Sequence, residues 1–251
     1  MQAGATGPDV KELLRGRAAH VWIVPPVAAS RTLRACTGWL SAEERERCNR
    51  QRDEASRTRF ALSRAALRRV LALCLGRSAD GLVFTRNERG KPAVCGIEGL
   101  DFSFADCRDV ALIALAASDT GVDVEHDREP RHAGRTARRI FHAATVASMD
   151  RLPSSVRSTA FLDAWTLREA HVKAVGGGLF HTPDALPFDP DMPADGTPRL
   201  VHERNGGDEW SVARFLPSPG TRAAVVVRGA IDSIHIHDTE VTLRLLDEEG
   251  T

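Results

Sequence analysis

The sequence has no excess of charge of either sign, since its 251 residues include 34 lysines and arginines and 34 aspartates and glutamates. Balanced charge gives no reason to expect a nucleic acid or a membrane surface as partner, and we predict neither. Long hydrophobic runs are missing as well. The longest, Val110 to Ala117, has eight residues, whereas a membrane-spanning helix needs about 20. The N-terminal residues contain no apolar signal segment, so the sequence does not predict export.

Cysteine pairs with the spacing of zinc or redox motifs are also absent. The chain has five cysteines, an odd number, and no Cys-x-x-Cys occurs among them. This pattern predicts reduced thiols in a cytoplasmic protein, not a zinc site or a disulfide framework. The sequence also lacks a Gly-x-Ser-x-Gly elbow, a Walker loop and a Gly-x-Gly-x-x-Gly fingerprint. A serine hydrolase, a P-loop NTPase and a Rossmann enzyme are therefore disfavoured.

The first half of the chain combines a long helical region with short strands. Residues 41–75 have helical periodicity, begin with a capping box formed by Ser41 and Glu44, and stop before Gly76. Short strand patterns follow. The apolar segment 109–117 is uniform enough to predict a central strand of a sheet.

The second half repeats this order of helix and strands. Residues 133–175 are mostly helical with a break near Pro153, and the last third of the chain returns to strands separated by Pro and Gly turns. We therefore predict an α+β (α/β) fold of two similar subdomains, 1–118 and 119–251. Because both halves lie in one chain, we expect a monomer.

Arginine is concentrated in two segments although the whole chain is neutral. Residues 45–77 contain ten arginines and residues 128–139 contain five. Such clusters suit phosphates or an acidic partner protein. Arginines on a solvated helix face are the commoner explanation.

Two carboxylates lie two residues apart in the segment GVDVEHD (121–127). In a strand, Asp123 and Glu125 point to the same face, where they repel each other unless a positive charge lies between them. Mg²⁺ prefers such oxygen ligands and leaves coordination positions for water and phosphates. An isolated Asp-x-Glu pair is nevertheless more often an exposed strand face.

A row of side chains with helical spacing follows in the segment 164–179, where Trp165, Glu169 and Lys173 lie four residues apart. The glycines after residue 175 are typical of a helix end. Taken singly, the tryptophan is explained by core packing and the charged residues by a surface ion pair. Together with the two strand acids, they supply three carboxylates for a metal and a lysine for phosphate charge, which indicates phosphoryl transfer.

A second group of possible ligands, His235, His237 and Asp238, lies near the end of the chain. Histidines in an His-x-His pattern on one strand face can bind a metal. No third ligand pattern accompanies them, and we interpret the segment as the solvated face of a hairpin.

Four segments of the sequence resemble the Sfp-type 4′-phosphopantetheinyl transferases. GVDVE (121–125) followed by WTLREAHVKAVGGGL (165–179) is similar to the paired signature of that family, and RGKP (89–92) and RTRFALSRAALRRVL (57–71) resemble its earlier segments. The resemblance implies a pseudo-twofold pair of α+β halves with an active site in the cleft between them. It also implies transfer of 4′-phosphopantetheine from coenzyme A to a serine of an acyl or peptidyl carrier protein, with release of 3′,5′-adenosine bisphosphate.

The same resemblance implies roles for the acids and the lysine. Asp123, Glu125 and Glu169 are expected to hold Mg²⁺ against the pyrophosphate. Lys173 is expected to neutralise charge on the bridging and departing phosphate. Either Glu169 or a metal-activated water would take the proton of the incoming serine. Glu169 and Lys173 are thus the predicted catalytic residues.

The coenzyme is expected to bind mainly to the N-terminal half. The positions implied are Arg47, Arg86, Arg89, Lys91, Pro92, Ser103 and Asp106, together with Lys173 near the pyrophosphate. At Asp106 the family has a histidine that contacts phosphate, so a carboxylate there is expected to weaken recognition of the 3′-phosphate. Arg168 likewise replaces the usual lysine before Glu169.

Two other functions stay open on the sequence alone. The first is a catalytically weak protein that keeps the scaffold and binds coenzyme A or a carrier protein without turnover. The second is a different Mg²⁺-dependent enzyme that acts on nucleotides, which explains the acids but not the paired motifs.

Overall fold

Seven helices and ten strands make up the part of the chain described by the computed structural model, which comprises residues 17–28, 30–88, 90–128, 132–176, 186–190, 200–205 and 207–247. The helices are α1 (Ser30–Trp39), α2 (Ala42–Asn49), α3 (Glu54–Leu75), α4 (Ala133–Ile140), α5 (Ala143–Arg151), α6 (Ser154–Val175) and α7 (Thr239–Asp247). The strands are β1 (Ala18–Val24), β2 (Phe84–Arg86), β3 (Pro92–Val94), β4 (Asp101–Asp106), β5 (Ala111–Ala116), β6 (Thr120–His126), β7 (Val201–Asn205), β8 (Asp208–Phe215), β9 (Thr221–Arg228) and β10 (Ser233–His237). The predicted α+β fold is confirmed.

Two four-stranded sheets share one order of connections. In the first sheet, with the order β10-β1-β5-β4, the strand β1 is followed by the long helix α3 and then by the antiparallel pair β4 and β5, and β5 returns to pair with β1. In the second sheet, with the order β6-β9-β8-β7, β6 is followed by the long helix α6, and β9 returns to pair with β6. Strands β2 and β3 form a separate hairpin. Three strands and the long helix thus follow the same order in both halves, whereas the fourth strand lies beside β1 in the first sheet and beside β8 in the second.

The predicted helical region 41–75 contains two helices. Ser41 and Glu44 form the predicted capping box at the start of α2. The side chain of Asp53 then accepts a hydrogen bond from the backbone of Ser56 and begins α3, which ends at Gly76 in the left-handed conformation. Both long helices have 22 residues and carry charged side chains. Within the described ranges, none of the helices is long and apolar enough to cross a membrane.

The two sheets bury their apolar faces against each other. Every residue of β5 is buried, as its uniform composition predicts for a central strand. Val21 and Leu112 of the first sheet belong to one hydrophobic cluster with Val122 and Val225 of the second. The halves are therefore joined by a continuous core.

The last two elements return to the first half. Strand β10 lies parallel to β1, and Leu245 and Leu246 of α7 pack in the core cluster that contains α3. The division into subdomains 1–118 and 119–251 stays a prediction. Residues 233–247 belong to the second predicted subdomain by sequence, but they pack against the N-terminal half and complete its core.

Candidate active site

A cleft with a volume of ≈ 970 Å³ lies between the two halves, lined by α2, α3, the β2–β3 hairpin, β4 and α6. Each long helix contributes three lining residues with the spacing i, i+3 and i+4, which places them on one helix face. These residues are Arg64, Leu67 and Arg68 on α3, and Glu169, Val172 and Lys173 on α6. Two of the sequence-predicted site residues, Glu169 and Lys173, are thus brought into the cleft.

Helix α6 lies directly on strand β6 because residue 121 is glycine. A Cβ atom built at Gly121 would lie 1.8 Å from the carbonyl oxygen of Ala170 and 2.6 Å from the amide nitrogen of Ala174. Both distances are impossible for a real side chain, so this close approach requires glycine. It brings the acids of β6 beside the last turns of α6.

Asp123 and Lys173 form the central contact between these two elements. The Nζ atom of Lys173 lies 2.7 Å from Oδ1 of Asp123 and 3.1 Å from the carbonyl oxygen of Val122. Burial raises the pKa of Asp123 to about 6; Lys173 opposes this rise, and the charges of Glu125 and Glu169 add to it. The three acids predicted as metal ligands therefore interact electrostatically at one place.

The other two acids are paired with arginines. Glu169 accepts a hydrogen bond of 2.9 Å from Arg168, and a carboxylate oxygen of Glu125 lies 3.6 Å from Arg128. In the described part of the chain, no group of three or more His, Cys, Asp or Glu side chains is gathered as a metal site. The three acids therefore lie near one another, but their carboxylate groups do not converge on one point.

The donor chemistry nevertheless suits Mg²⁺. Oδ2 of Asp123 is buried and has no hydrogen-bond partner among the described residues, and an unsatisfied buried carboxylate oxygen costs free energy unless a cation or donor reaches it. Carboxylate oxygens are the ligands that Mg²⁺ prefers, and one or two of them are sufficient. Asp123 and its acidic neighbours thus fit a magnesium site by chemistry.

On the opposite wall, arginines alternate with aromatic rings. The guanidinium groups of Arg47 and Arg64 both lie 5.7 Å from the ring centre of Phe60, and Arg64 also lies 4.6 Å from that of Phe104. Burial lowers the pKa of Arg64, and the charge of Arg47 adds to the lowering. Two cations are therefore held close together in the cleft, an arrangement that suits an anionic ligand.

Arg64 was missed at the sequence level. Its signal is the spacing of Phe60, Arg64 and Arg68 at i, i+4 and i+8, which predicts one helix face. Of these, Arg68 has a structural role: it is buried, pairs with Glu44 at 2.6 Å, and donates hydrogen bonds to two backbone carbonyl groups. Sequence spacing alone does not separate the two arginines.

Comparison with known proteins agrees with this geometry. Residues 119–227, which contain β6 and α6, match the model of the 4′-phosphopantetheinyl transferase superfamily. The chain is 27% identical to the 4′-phosphopantetheinyl transferase HetI of Nostoc sp. over 84% of this chain and 87% of the relative. Residues 119–227 of this chain thus form a domain that matches the 4′-phosphopantetheinyl transferase superfamily.

Other relatives match at lower identity or over a shorter length. A putative 4′-phosphopantetheinyl transferase of Synechocystis sp. is 32% identical over 56% of this chain and 58% of its own length. The 4′-phosphopantetheinyl transferase Sfp of Bacillus subtilis is 22% identical over 60% of this chain and 64% of its own length. The chain therefore matches less than two thirds of the length of these two relatives and differs from them at most positions.

The predicted coenzyme-binding positions of the hairpin lie in different environments. Arg86 and Pro92 pair across the hairpin and line the cleft, and Arg86 donates a hydrogen bond of 2.7 Å to the carbonyl oxygen of Gly90. Arg89 lies outside the described residues. Lys91 also lines the cleft, but its ammonium group is buried against protein acceptors. Its predicted role as a phosphate ligand stays a prediction that these contacts do not support.

Ser103 and Asp106 lie on the same strand with different exposure. Ser103 lines the cleft, and its hydroxyl oxygen accepts a 3.0 Å hydrogen bond from the amide of Val122 across the two halves. Asp106 is exposed at the end of β4 and is not among the residues that line the cleft. Its charge does oppose the lowering of the pKa of Arg64 by burial.

The three side chains predicted to share one face of α6, those of Trp165, Glu169 and Lys173, lie in two different environments. Trp165 stacks on Phe161 with ring centres 6.2 Å apart and belongs to the hydrophobic core beneath α4 and α5. Glu169 and Lys173, one and two turns further on, line the cleft. The predicted break near Pro153 is confirmed, because α6 begins at the next residue.

The histidines near the end of the chain have a third neighbour that the sequence did not indicate. Strand β10 is not part of a hairpin, as we interpreted it, but lies parallel to β1. This pairing stacks the ring of His20 on those of His235 and His237, with ring centres 4.7 and 5.3 Å apart. Burial lowers the pKa of His20 to about 4, with smaller contributions from the other two histidines.

The third residue of the predicted group, Asp238, accepts a hydrogen bond from the amide of Val241 at the start of α7.

Proposed function

We propose that this protein transfers the 4′-phosphopantetheine group of coenzyme A to a serine of an acyl or peptidyl carrier protein and releases 3′,5′-adenosine bisphosphate. The observation that carries the proposal is the contact between Lys173 and Asp123 at the edge of the cleft. It lies within the residues that match the superfamily model. The cleft is formed by both halves of one chain, and we propose that the protein acts as a monomer.

The reaction is a displacement at phosphorus. The serine oxygen forms a bond to the phosphorus atom that carries pantetheine, and the bond from that phosphorus to the bridging oxygen breaks. The leaving group takes the bonding electron pair and departs as adenosine bisphosphate, while the serine proton passes to a base. Catalysis of such a step depends on positioning and on stabilising the charge that develops on the phosphoryl oxygens.

Lys173 is suited to that stabilisation. Two of the three N–H donors of its ammonium group can be assigned to Asp123 and to the carbonyl oxygen of Val122, which leaves one for a phosphate oxygen. The buried carboxylate of Asp123 orients the lysine. A cation held in this way stabilises a developing negative charge without having to reorganise.

Glu169 is the base that we propose for the serine proton. Its carboxylate lies in the cleft one helical turn before Lys173 and is held by Arg168. Asp123, Glu125 and Glu169 are the residues that would hold Mg²⁺, supported by the unsatisfied Oδ2 of Asp123. When bound there, Mg²⁺ supplies charge neutralisation at the pyrophosphate.

The N-terminal wall of the cleft is suited to the nucleotide part of coenzyme A. We propose that Arg47, Arg64 and Arg86 neutralise the phosphates of coenzyme A, because all three line the cleft. A guanidinium group can donate two parallel hydrogen bonds to one phosphate. All five cysteines are free thiols, which fits the reducing cytoplasm in which we propose that the protein acts.

The test is incubation with coenzyme A, Mg²⁺ and an apo carrier protein, followed by intact-mass spectrometry of the carrier. We expect the mass of one phosphopantetheine group to be added. The matched control is Glu46→Gln on the exposed face of α2, which should behave as wild type, whereas Glu169→Gln should form the product on the order of 10³-fold more slowly. Absence of any adduct would contradict the transferase. Binding of coenzyme A without an adduct would instead favour a catalytically weak binding protein.

A further inference from the structure

Lys91 connects three elements from both halves of the molecule. It follows the turn of the β2–β3 hairpin, where its amide donates a hydrogen bond of 2.9 Å to the side chain of Asn87. Its Nζ atom donates hydrogen bonds to the carboxylate of Asp101, to the carbonyl oxygen of Thr120 at 2.7 Å, and to that of Ala174 at 3.3 Å. These acceptors belong to β4, to the start of β6 and to the last turn of α6.

The buried ammonium group has no donor left for a ligand. An ammonium carries three N–H groups, and the residue is 8% exposed with three protein acceptors in place. Asp101 strengthens the junction, because its carboxylate also accepts a 2.6 Å hydrogen bond from the amide of Thr120. One ion pair thereby fastens β4 to the first residue of β6.

Lys91 contacts the carbonyl oxygen of Ala174 in the last turn of α6, where the backbone carbonyl groups lack partners. The last carbonyl groups of a helix have no partner within the helix, and a cation near them is favoured by the helix dipole. Ala174 is the residue after Lys173. The end of α6 is therefore anchored immediately beside the lysine that lines the cleft.

We propose that Lys91 is a positioning residue, which holds the last turn of α6 and the start of β6 in register so that Lys173 keeps its place in the cleft. The inference rests on the proposed transfer reaction for its kinetic part only. It differs from the role that the resemblance implies for this lysine, in which the ammonium group binds a phosphate of coenzyme A.

The two roles predict opposite kinetic results for Lys91→Met. As a positioning residue, Lys91 affects turnover: kcat should fall about 10-fold or more, since a misplacement of about 1 Å can cost on the order of 10²-fold, while Kd for coenzyme A changes by less than about 3-fold. Arg86→Met, from the same hairpin, is the comparison for a phosphate contact and should raise Kd. An unchanged kcat, or a loss found mainly in Kd, overturns the proposal.

Asp101→Asn gives a second and milder test. The amide keeps an acceptor for Lys91 but weakens its anchor, so we expect kcat to fall in the same direction. The double variant Lys91→Met with Asp101→Asn should be no slower than Lys91→Met alone, because both changes disrupt one junction. If Lys91 were a phosphate ligand, Asp101→Asn would release it and tighten coenzyme A. Tighter binding, or independent losses that add up in the double variant, overturns the proposal.

Hydrogen exchange separates this inference from the proposed function. In Lys91→Met, amides 172–176 should exchange at least about 10-fold faster than in wild type if their anchor is lost, whereas the end of α3 should be unaffected. Arg244→Met on the exposed side of α7 is the control that should leave exchange unchanged. A wild-type protein that forms no adduct would contradict the transferase alone. Unchanged exchange at 172–176 would overturn the positioning role alone.

Discussion

The two long helices occupy equivalent places in the two halves and differ in the side chains that they present. Helices α3 and α6 each have 22 residues, follow the first strand of their sheet and line the cleft with the spacing i, i+3 and i+4. On α3 the polar lining residues are two arginines, and on α6 they are a glutamate and a lysine. One scaffold therefore presents cations from one side and an acid with a lysine from the other, and we propose that these sides bind the coenzyme and carry the reaction, respectively.

The helices also differ in how closely their sheets hold them. Helix α6 touches β6 at Gly121, where no side chain fits, whereas β1, the equivalent strand of the first half, contains no glycine. A helix that packs against side chains can shift slightly when those side chains change rotamer. A helix that packs directly against the backbone of a strand cannot shift in this way. The half that we propose carries the chemistry is thus the more tightly fixed of the two.

The largest difference between the halves should appear in turnover. Glu169→Gln removes the proposed base, so kcat should fall on the order of 10³-fold, with Kd for coenzyme A nearly unchanged. Stopped-flow transfer assays and calorimetry measure the two quantities. If Kd rose while kcat held, Glu169 would be a binding residue, and the division of roles between the helices would be wrong.

The close approach at Gly121 predicts a large loss of stability. Gly121→Ala places a methyl group against the backbone of α6, and we expect the free energy of unfolding to fall by about 3 kcal/mol, the upper end of the cost of overpacking. Gly38→Ala is the matched control, because a Cβ at that position in α1 meets nothing within 4 Å. Alanine there should stabilise the helix by about 0.5–1 kcal/mol. Urea denaturation measures both, and equal effects would show that α6 can move away from β6.

On the other helix, Arg64→Met should give the complementary result. Loss of one charge-assisted contact predicts a rise of about 10-fold in Kd for coenzyme A, with kcat at saturating coenzyme A close to wild type. Arg50→Met, an exposed arginine at the end of α2, is the control without an expected effect. A drop in kcat at unchanged Kd would place Arg64 with the reactive groups.

Acid should act on a buried histidine in each half, although in the second half the raised pKa of Asp123 opposes this effect over the same pH range. Burial lowers the pKa of His20 in the first sheet and of His171 on α6 to about 4. The unfolded chain binds these protons near pH 6.5, so the stability they contribute is present above that pH and is lost as the pH falls from 6.5 towards 4. Urea denaturation at several pH values measures the loss, which should be smaller in His171→Gln. In an NMR titration both rings should stay neutral at pH 5.5; a midpoint near 6.5 for either would contradict its burial.

Features that depend on near neighbours in the chain could be predicted from the sequence. The capping box at Ser41, the central strand β5 and the acids of β6 are each defined by residue types at short spacing. The prediction for Glu169 and Lys173 needed two segments to be combined, and their joint chemistry indicated phosphoryl transfer. The resemblance then implied a role for each residue, and these roles stay predictions.

Features that depend on distant pairing could not be predicted. The ammonium group of Lys91 meets acceptors 10, 29 and 83 residues away, and no local pattern encodes that junction. His20 reaches His237, 217 residues further along the chain, only because β10 lies parallel to β1. Arg64 and Arg68 share one helix face and both line the cleft, and only tertiary packing shows that Arg68 is held by Glu44 and two backbone carbonyl groups.

The return of β10 and α7 to the first sheet determines the order in which the molecule can be completed during synthesis. A ribosome releases the chain from its N-terminus, and subdomains usually fold in the order of their release. Here all four strands of the second sheet and helix α6 have been made by residue 228, while the first core still lacks Leu245 and Leu246. The N-terminal half is therefore synthesised first, but its hydrophobic core is completed last.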